Sequence, residues 1–148
     1  MKIIHKNKKA YFDYEILQEF TAGIMLTGPE IKSIRGGHVN LKGAYVSIQN
    51  GEAFLKNAHI SKYAQDSTGT HDPFRVRKLL LSKKEIEKIA NSLNTQGVTV
   101  VALAIGLAGR YAKLQIGLAR GKKKHDKRQT IKERQIKRQT DKLIKSYR

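Results

Sequence analysis

Hydrophobic and polar residues alternate most regularly in residues 44–57, on both sides of Asn50-Gly51. Asn-Gly is a preferred pair for a two-residue type I′ turn, because both turn positions need a positive φ. A turn at this place sets Val46 opposite Leu55 and collects apolar side chains on one face. The pattern therefore predicts a β-hairpin with one buried face.

Three further segments have the composition of strands. Residues 11–26 interleave aromatic and β-branched residues with polar ones. Residues 98–107 and 111–119 are long and mostly apolar, and Ala108-Gly109 marks a turn between them. Residues 61–74 are rich in Ser, Thr, Gly, Asp and Pro, which is typical of a loop.

Two short helices are predicted from their start signals. Thr27 with Glu30 and Ser82 with Glu85 have the S/T-x-x-E spacing of a capping box, in which each partner satisfies a free backbone N–H of the other. Glycines at residues 36–37 and 97 provide the ends, because glycine adopts the left-handed conformation that terminates helices.

These elements indicate a mainly β fold, because strands outnumber helices and follow one another as hairpins. We expect a small antiparallel barrel, closed or partly open, with two or three short accessory helices; an OB-like barrel is the natural candidate. Barrels of this kind often bind nucleic acid on one face and its flanking loops. We assign the barrel to residues 1–119 and a basic C-terminal tail to residues 120–148.

The charge of the tail changes the picture most. Residues 120–148 hold 13 of the 30 Lys and Arg residues and three acidic residues, which gives +10 of the chain's net +18. Such a segment buries too little apolar surface to fold alone, yet Thr130 and Glu133 supply another helix start signal. We expect the tail to be disordered when free and helical on a large polyanion, of which RNA is the first choice.

The remaining composition sets limits on compartment and chemistry. There is no Cys, so we expect no disulfide or thiolate metal site. The first residues lack an apolar core of a secretion signal, and the apolar stretch 98–108 is short for a membrane span. We expect a cytoplasmic protein that has no membrane partner.

Catalysis receives little support from the sequence. The five histidines are scattered, and none forms an H-x-x-x-H or H-E-x-x-H pair. His71-Asp72 are adjacent, and adjacent side chains rarely point together. We therefore expect a binding protein without catalytic residues, metal or cofactor, and keep an RNA-processing enzyme and a ribosome-associated structural RNA-binding protein as alternatives.

Three basic groups in the barrel are candidates for phosphate contact. Lys8 and Lys9 lie beside aromatic residues, which can stack on bases, and Lys32 and Arg35 are spaced to share a helix face. If residues 75–78 form a strand, alternation points two of their arginines outward as a phosphate clamp while Val76 points inward. The full set of barrel candidates is Asn7, Lys8, Lys9, Glu30, Lys32, Arg35, Arg75, Arg77 and Lys78, with Glu30 assigned first to helix capping and second to RNA.

Together these residues resemble one protein family over nearly the whole chain. Three motifs carry the resemblance: residues 26–35 (Leu-Thr-Gly-Pro-Glu-Ile-Lys-Ser-Ile-Arg), residues 77–81 (Arg-Lys-Leu-Leu-Leu) and the pair Gly-Lys-Lys and His-Asp-Lys-Arg within residues 121–128. They are similar to the SmpB, or SsrA-binding protein, family. One departure is Thr21, which stands where that family usually has Glu.

The resemblance implies an OB-like barrel that binds transfer-messenger RNA through its tRNA-like domain. It implies that the protein delivers this RNA to stalled ribosomes for trans-translation. Elongation factor Tu would be a partner only indirectly, through the RNA. We expect the protein to act as a monomer.

The resemblance also implies that the tail enters the decoding centre and the vacant messenger channel, against ribosomal RNA. His125 adds a ring that can stack on a base. The tail candidates are Gly121, Lys122, Lys123, His125, Asp126, Lys127, Arg128, Lys132, Arg134, Lys137 and Arg138.

Overall fold

Nine strands and three helices form the part of the chain that the computed structural model describes, which is residues 2–62, 72–109 and 111–122. In chain order they are β1 (Lys2–Lys6), α1 (Lys8–Asp13), β2 (Tyr14–Ile24), α2 (Gly28–Arg35), β3 (Val39–Asn40), β4 (Tyr45–Gln49), β5 (Glu52–Lys56), β6 (His59–Ile60), β7 (Arg77–Leu80), α3 (Lys83–Leu93), β8 (Val98–Ala108) and β9 (Tyr111–Gly121).

Six strands close a barrel in the order β8-β4-β5-β7-β2-β9, with β9 returning to β8. Every neighbouring pair is antiparallel. β1 adds to the free edge of β8 beyond the point where β4 pairs with it, and β3 and β6 form a separate two-stranded sheet. The predicted OB-like antiparallel barrel is confirmed, and it is closed.

The predicted hairpin is confirmed in its register. Val46 pairs with Leu55 and Ile48 with Ala53, while Asn50 and Gly51 have φ values of 51° and 73°. Both capping boxes are present as predicted, at the starts of α2 and α3. Ile34 of α2 and Ile89 of α3 are fully buried in the core that fills the barrel, so both helices pack on it.

A bulge in β8 changes which of its residues face the barrel core. Val100, Ala102 and Ile105 face the barrel core, so the inward phase shifts by one residue at Leu103. Leu103 instead packs outside the barrel with Ala10 of α1. Its close neighbour in β9 is Gly117, where a Cβ would lie 2.8 Å from the Leu103 side chain.

The structure corrects the predicted start of the first long strand. Residues 11–13 belong to α1 rather than to β2, because Asn7 caps this short helix and Ala10 buries its inner face. The neighbouring strand β1 is an element that the sequence pattern did not predict.

Candidate nucleic-acid interface

Asn7 is a structural residue that holds α1 to the barrel. Its Oδ1 accepts a hydrogen bond from the Ala10 backbone N–H (3.3 Å), and its Nδ2 donates to the carbonyl oxygens of Leu41 (3.0 Å) and Ala102 (2.9 Å). Only 5% of the residue is exposed. The expectation that Asn7 itself touches RNA does not fit this geometry, because both amide hydrogens and the carbonyl are already engaged.

Lys8 and Lys9 are exposed on the helix that Asn7 fixes. Lys9 lines a cleft of about 620 Å³ between α1, β4 and β8, together with Lys42 and the rings of Tyr14 and Tyr45. Sequence reasoning missed Lys42. The available signal in the sequence was Asn40 followed by Gly43, which is typical of a turn. In that turn the Lys42 backbone N–H donates to Oδ1 of Asn40 (2.9 Å).

The C-terminal end of the barrel emerges beside α1. Gly121 pairs with Tyr14, and the Lys122 backbone N–H donates to the Asp13 carbonyl (2.9 Å). The tail candidates from Lys123 onward lie outside the described residues, so their predicted helix stays a prediction. We call Lys8, Lys9, Lys42 and Lys122 the α1 group.

α2 presents the second pair of cations as predicted. Thr27 accepts from the Glu30 backbone N–H, and the Glu30 carboxylate accepts from the Thr27 N–H (2.9 Å). Lys32 and Arg35 are both exposed in the last turn. Their charge is favourable there, because the carbonyl end of a helix is partially negative.

The Glu30 carboxylate is also the centre of a three-residue ion network. Its Oε2 lies 2.7 Å from the Arg77 guanidinium, and its Oε1 lies 2.6 Å from Nη2 of Arg75. The side chains of Glu30 and Arg77 are 1% and 0% exposed, whereas that of Arg75 is 41% exposed. One buried acid therefore holds one buried and one surface arginine.

The predicted outward pair of arginines is wrong for Arg77. β7 begins at this residue, and its inward positions are Arg77 and Leu79, while Val76 is exposed. Arg77 pairs with Leu55, whose side chain also faces the core. The remaining donors of Arg77 bond to the carbonyls of Ala58 (2.8 Å) and Pro73 (3.1 Å), so the guanidinium is satisfied inside the protein and cannot contact RNA.

These contacts set the protonation of the pair. Burial by itself would raise the pKa of Glu30, but hydrogen bonds from Arg75, the Thr27 backbone and Arg77 outweigh it and lower the pKa to about 2. Burial lowers the pKa of Arg77, while the Glu30 charge opposes this shift. Glu30 is thus an ionised structural residue, and its burial does not fit the expected secondary role in RNA contact.

Lys78 lies on the outer face of β7. Its Nζ is 3.0 Å from the Glu52 carboxylate, and both side chains are partly exposed. Such a surface pair is weak and exchanges readily, since water screens it. Lys78 can therefore turn to a phosphate.

Two groups of exposed cations are separated along β2. The α1 group adjoins Tyr14, at the start of β2, and the second group follows Ile24, at its end. At about 3.3 Å per residue this strand spans roughly 33 Å. We call Lys32, Arg35 and Arg75 the α2 group. The two groups can contact different parts of one large polyanion.

The described residues contain neither a candidate metal site nor a membrane-spanning helix. Within residues 2–62, 72–109 and 111–122, no cluster of three or more His, Asp or Glu side chains could hold a metal ion. No helix in the same part of the chain is long and apolar enough to cross a membrane.

Comparison with known proteins identifies the family. The family model described as SmpB protein matches residues 4–146. The SsrA-binding protein of Enterococcus hirae is 49% identical over 146 residues, which cover 99% of this chain and 95% of the relative. The SsrA-binding protein of Shouchella clausii is 49% identical over 144 residues, covering 97% and 92%.

A solved structure supports the same assignment. It is described as "tmRNA-SmpB: a journey to the center of the bacterial ribosome", and it superimposes with a TM-score of 0.69 at 43% identity, covering 81% of this chain and 85% of that chain. With this match of fold and nearly full-length sequence, the chain belongs to the SmpB family of SsrA-binding proteins.

Proposed function

We propose that this chain binds transfer-messenger RNA and delivers it to stalled ribosomes for trans-translation. The observation that carries the proposal is the 49% identity, over 99% of the chain, to a relative named SsrA-binding protein. The solved neighbour described as tmRNA-SmpB in the bacterial ribosome agrees with it. The net charge of +18 suits a protein that works between two large RNA molecules.

The direct contacts of the barrel are the exposed cations. Among the barrel candidates, Lys8, Lys9, Lys32 and Arg35 are exposed. Arg75 and Lys78 are half-exposed through their side chains. Asn7, Glu30 and Arg77 are positioning residues: Asn7 fixes the helix that carries two of the lysines, and the ion pair fixes Arg75 and α2. We infer that the tRNA-like domain of the RNA is held through these exposed side chains.

The tail is proposed to act on the ribosome rather than on free RNA. It leaves the barrel beside the α1 group, where Lys122 bonds to the Asp13 carbonyl. A helix with cations on nearly all sides is unstable alone and is stabilised by a channel walled with phosphate, such as the vacant messenger path. Elongation factor Tu is reached only through the RNA, and the protein acts in the cytoplasm as a monomer without a catalytic step.

The RNA that co-purifies with the full-length chain tests this proposal. The chain is expressed with an affinity tag in bacterial cells, purified at low salt and stripped of RNA, which is then sequenced. We expect strong enrichment of transfer-messenger RNA over its share of total RNA. Enrichment of ribosomal RNA alone would support a general ribosome-associated protein instead, and cleavage of the purified transfer-messenger RNA by the chain would support an enzyme.

A further inference from the structure

Phe74 is an exposed aromatic residue in a tightly fixed turn. The Arg75 backbone N–H donates to the Asp72 carbonyl (3.1 Å), and Pro73 occupies the second position of this turn, where its fixed φ is favourable. Oδ1 of Asp72 accepts from the Phe74 N–H (3.0 Å). The turn thus presents Phe74 at its corner, with 53% of the residue exposed.

The core of the protein holds this turn in place. The Pro73 carbonyl accepts hydrogen bonds from the Ile60 backbone N–H (3.0 Å) and from Nη2 of Arg77 (3.1 Å). Arg77 is fully buried and paired with Glu30. The backbone under Phe74 is therefore anchored to a strand and to the buried ion network, so little entropy remains to be lost when a ligand binds.

The ring of Phe74 is supported from one side. The His59 ring meets it at a centroid distance of 5.0 Å and an interplanar angle of 65°, which is an edge-to-face contact. This contact limits rotation of the ring.

Arg75, which follows Phe74 in the chain, is a fixed cation, and two more exposed apolar residues adjoin it through their backbone carbonyls. The guanidinium of Arg75 lies 2.6 Å from Glu30 and 3.4 Å from the carbonyl of Met25. Met25 and Val76 are 53% and 48% exposed. We call Met25, Phe74, Arg75 and Val76 the Phe74 patch.

A scattered apolar residue on a surface is ordinary, but this patch has further properties. Its aromatic ring is supported edge-to-face by His59, and its cation is held by a buried acid that also anchors α2. Lys32 and Arg35 on that helix make the surroundings positive. This positive border favours an RNA segment, because each of its nucleotides carries a negative phosphate.

We propose that the Phe74 patch stacks one unpaired base of the bound RNA and that Arg75 holds the phosphate beside it. Aromatic rings next to arginine are the usual platform for unstacked bases, and every base offers a π face to such a ring. The inference rests on the proposed function and adds a contact at the edge of the α2 group. It predicts a preference for an unpaired nucleotide at this point, set by stacking rather than by base-edge hydrogen bonds.

Three substitutions of Phe74 in the full-length chain test the proposal. Binding is measured by fluorescence anisotropy with the tRNA-like domain of transfer-messenger RNA, and folding is checked by thermal unfolding. Phe74→Ala is expected to raise Kd about 5-fold to 150-fold, the range of one lost stacking contact. Phe74→Leu is expected to weaken binding nearly as much as Phe74→Ala, because leucine has no ring to stack. Phe74→Tyr is expected to bind like the parent chain.

The salt dependence separates stacking from charge. Phe74→Ala should leave the slope of log K against log salt unchanged, because no phosphate contact is removed. Leu17→Ala is the matched control: Leu17 is 45% exposed on β2, away from the patch, and its loss should not alter Kd. Ultraviolet cross-linking followed by mass spectrometry should attach Phe74 to a nucleotide that is unpaired in the free RNA.

Each outcome decides between the claims. Full binding by Phe74→Ala would overturn the stacking contact while leaving the proposed function intact. Full binding by Phe74→Leu would show a general apolar contact and would overturn base stacking as the role of Phe74. If the parent chain failed to bind this RNA, the proposed function would fail, and the same variants titrated with single-stranded oligouridine would still decide whether Phe74 stacks bases.

Discussion

Glu30 and Arg77 form an ion pair that is enclosed on all sides, with 2.7 Å between carboxylate and guanidinium and side-chain exposures of 1% and 0%. The pair connects the first turn of α2 to the first residue of β7. Because Arg77 also bonds to the carbonyls of Ala58 and Pro73, it fixes two backbone segments besides the helix. The pair therefore sets the geometry of the α2 group from inside the protein.

Arg77→Ala is expected to destabilise the fold by about 3 kcal/mol, because it leaves a buried carboxylate with only one cationic partner and two carbonyls with fewer donors. Arg75→Ala removes a half-exposed partner of the same carboxylate, so its cost should be clearly smaller. Urea unfolding followed by circular dichroism measures both. Equal losses for the two variants would contradict the structural role assigned to Arg77.

Arg75→Ala should instead weaken RNA binding and lower the salt slope by roughly one, which is the value for one lost phosphate contact. The variant Lys83→Ala removes the same charge from the exposed start of α3, outside both basic groups, and serves as the control. Anisotropy titrations over a range of salt concentrations provide the slopes. Identical slopes for Arg75→Ala and the parent chain would show that Arg75 makes no phosphate contact.

Acid should weaken the protein through Glu30 in a defined pH window. Its pKa is lowered from 4.5 to about 2 in the folded state, so the contribution is complete above pH 4.5 and is lost as the pH falls from 4.5 towards 2. The loss can reach about 1.4 kcal/mol per pH unit for this one proton. Glu30→Gln should be less stable at pH 7, and its difference from the parent chain should shrink within that window; a difference independent of pH would contradict the assignment.

Asn7→Ala should cost about 3 kcal/mol, because a helix cap is lost and two buried carbonyls lose their donor. Asn7→Asp keeps the capping oxygen but lacks the Nδ2 donors, so we expect it to be destabilised as well. Denaturant unfolding compares the two variants. If Asn7→Asp were as stable as the parent chain, capping alone would explain Asn7.

Removal of residues 123–148 should separate RNA binding from action on the ribosome. The truncated chain keeps both basic groups and the Lys122 bond to Asp13, so it should fold and hold most of its affinity for free transfer-messenger RNA. Tagging of nascent chains on stalled ribosomes in a reconstituted translation system should be lost. Tagging at the parent rate would show that the tail is dispensable and would refute the proposed division.

A point substitution tests the helix proposed for the tail. Ile136→Pro should block tagging while leaving RNA affinity unchanged, because proline breaks a helix interior at a cost of about 3 kcal/mol. The control Ile136→Ala keeps helix propensity and should tag. Normal tagging by the proline variant would indicate that the tail acts in an extended form.

The sequence by itself determined the features that depend on near neighbours in the chain. Asn50-Gly51 specified the turn and register of a hairpin, and Thr27-x-x-Glu30 and Ser82-x-x-Glu85 specified two helix starts. These signals are reliable because the interacting groups lie within a few residues of one another. The charge distribution and the family motifs likewise indicated an RNA-binding chain without any coordinates.

Tertiary structure decided which face each strand and helix turns to the core. The run of residues 77–81 is compatible with either phase of a strand, and pairing of Arg77 with Leu55 chose the phase that buries the arginine. Asn7 looked like part of a basic surface, yet carbonyls 34 and 95 residues away engage its amide. Closure of the barrel brought these distant partners together, and a buried charge is tolerated only where such partners meet it, so neither role could be read from the chain alone.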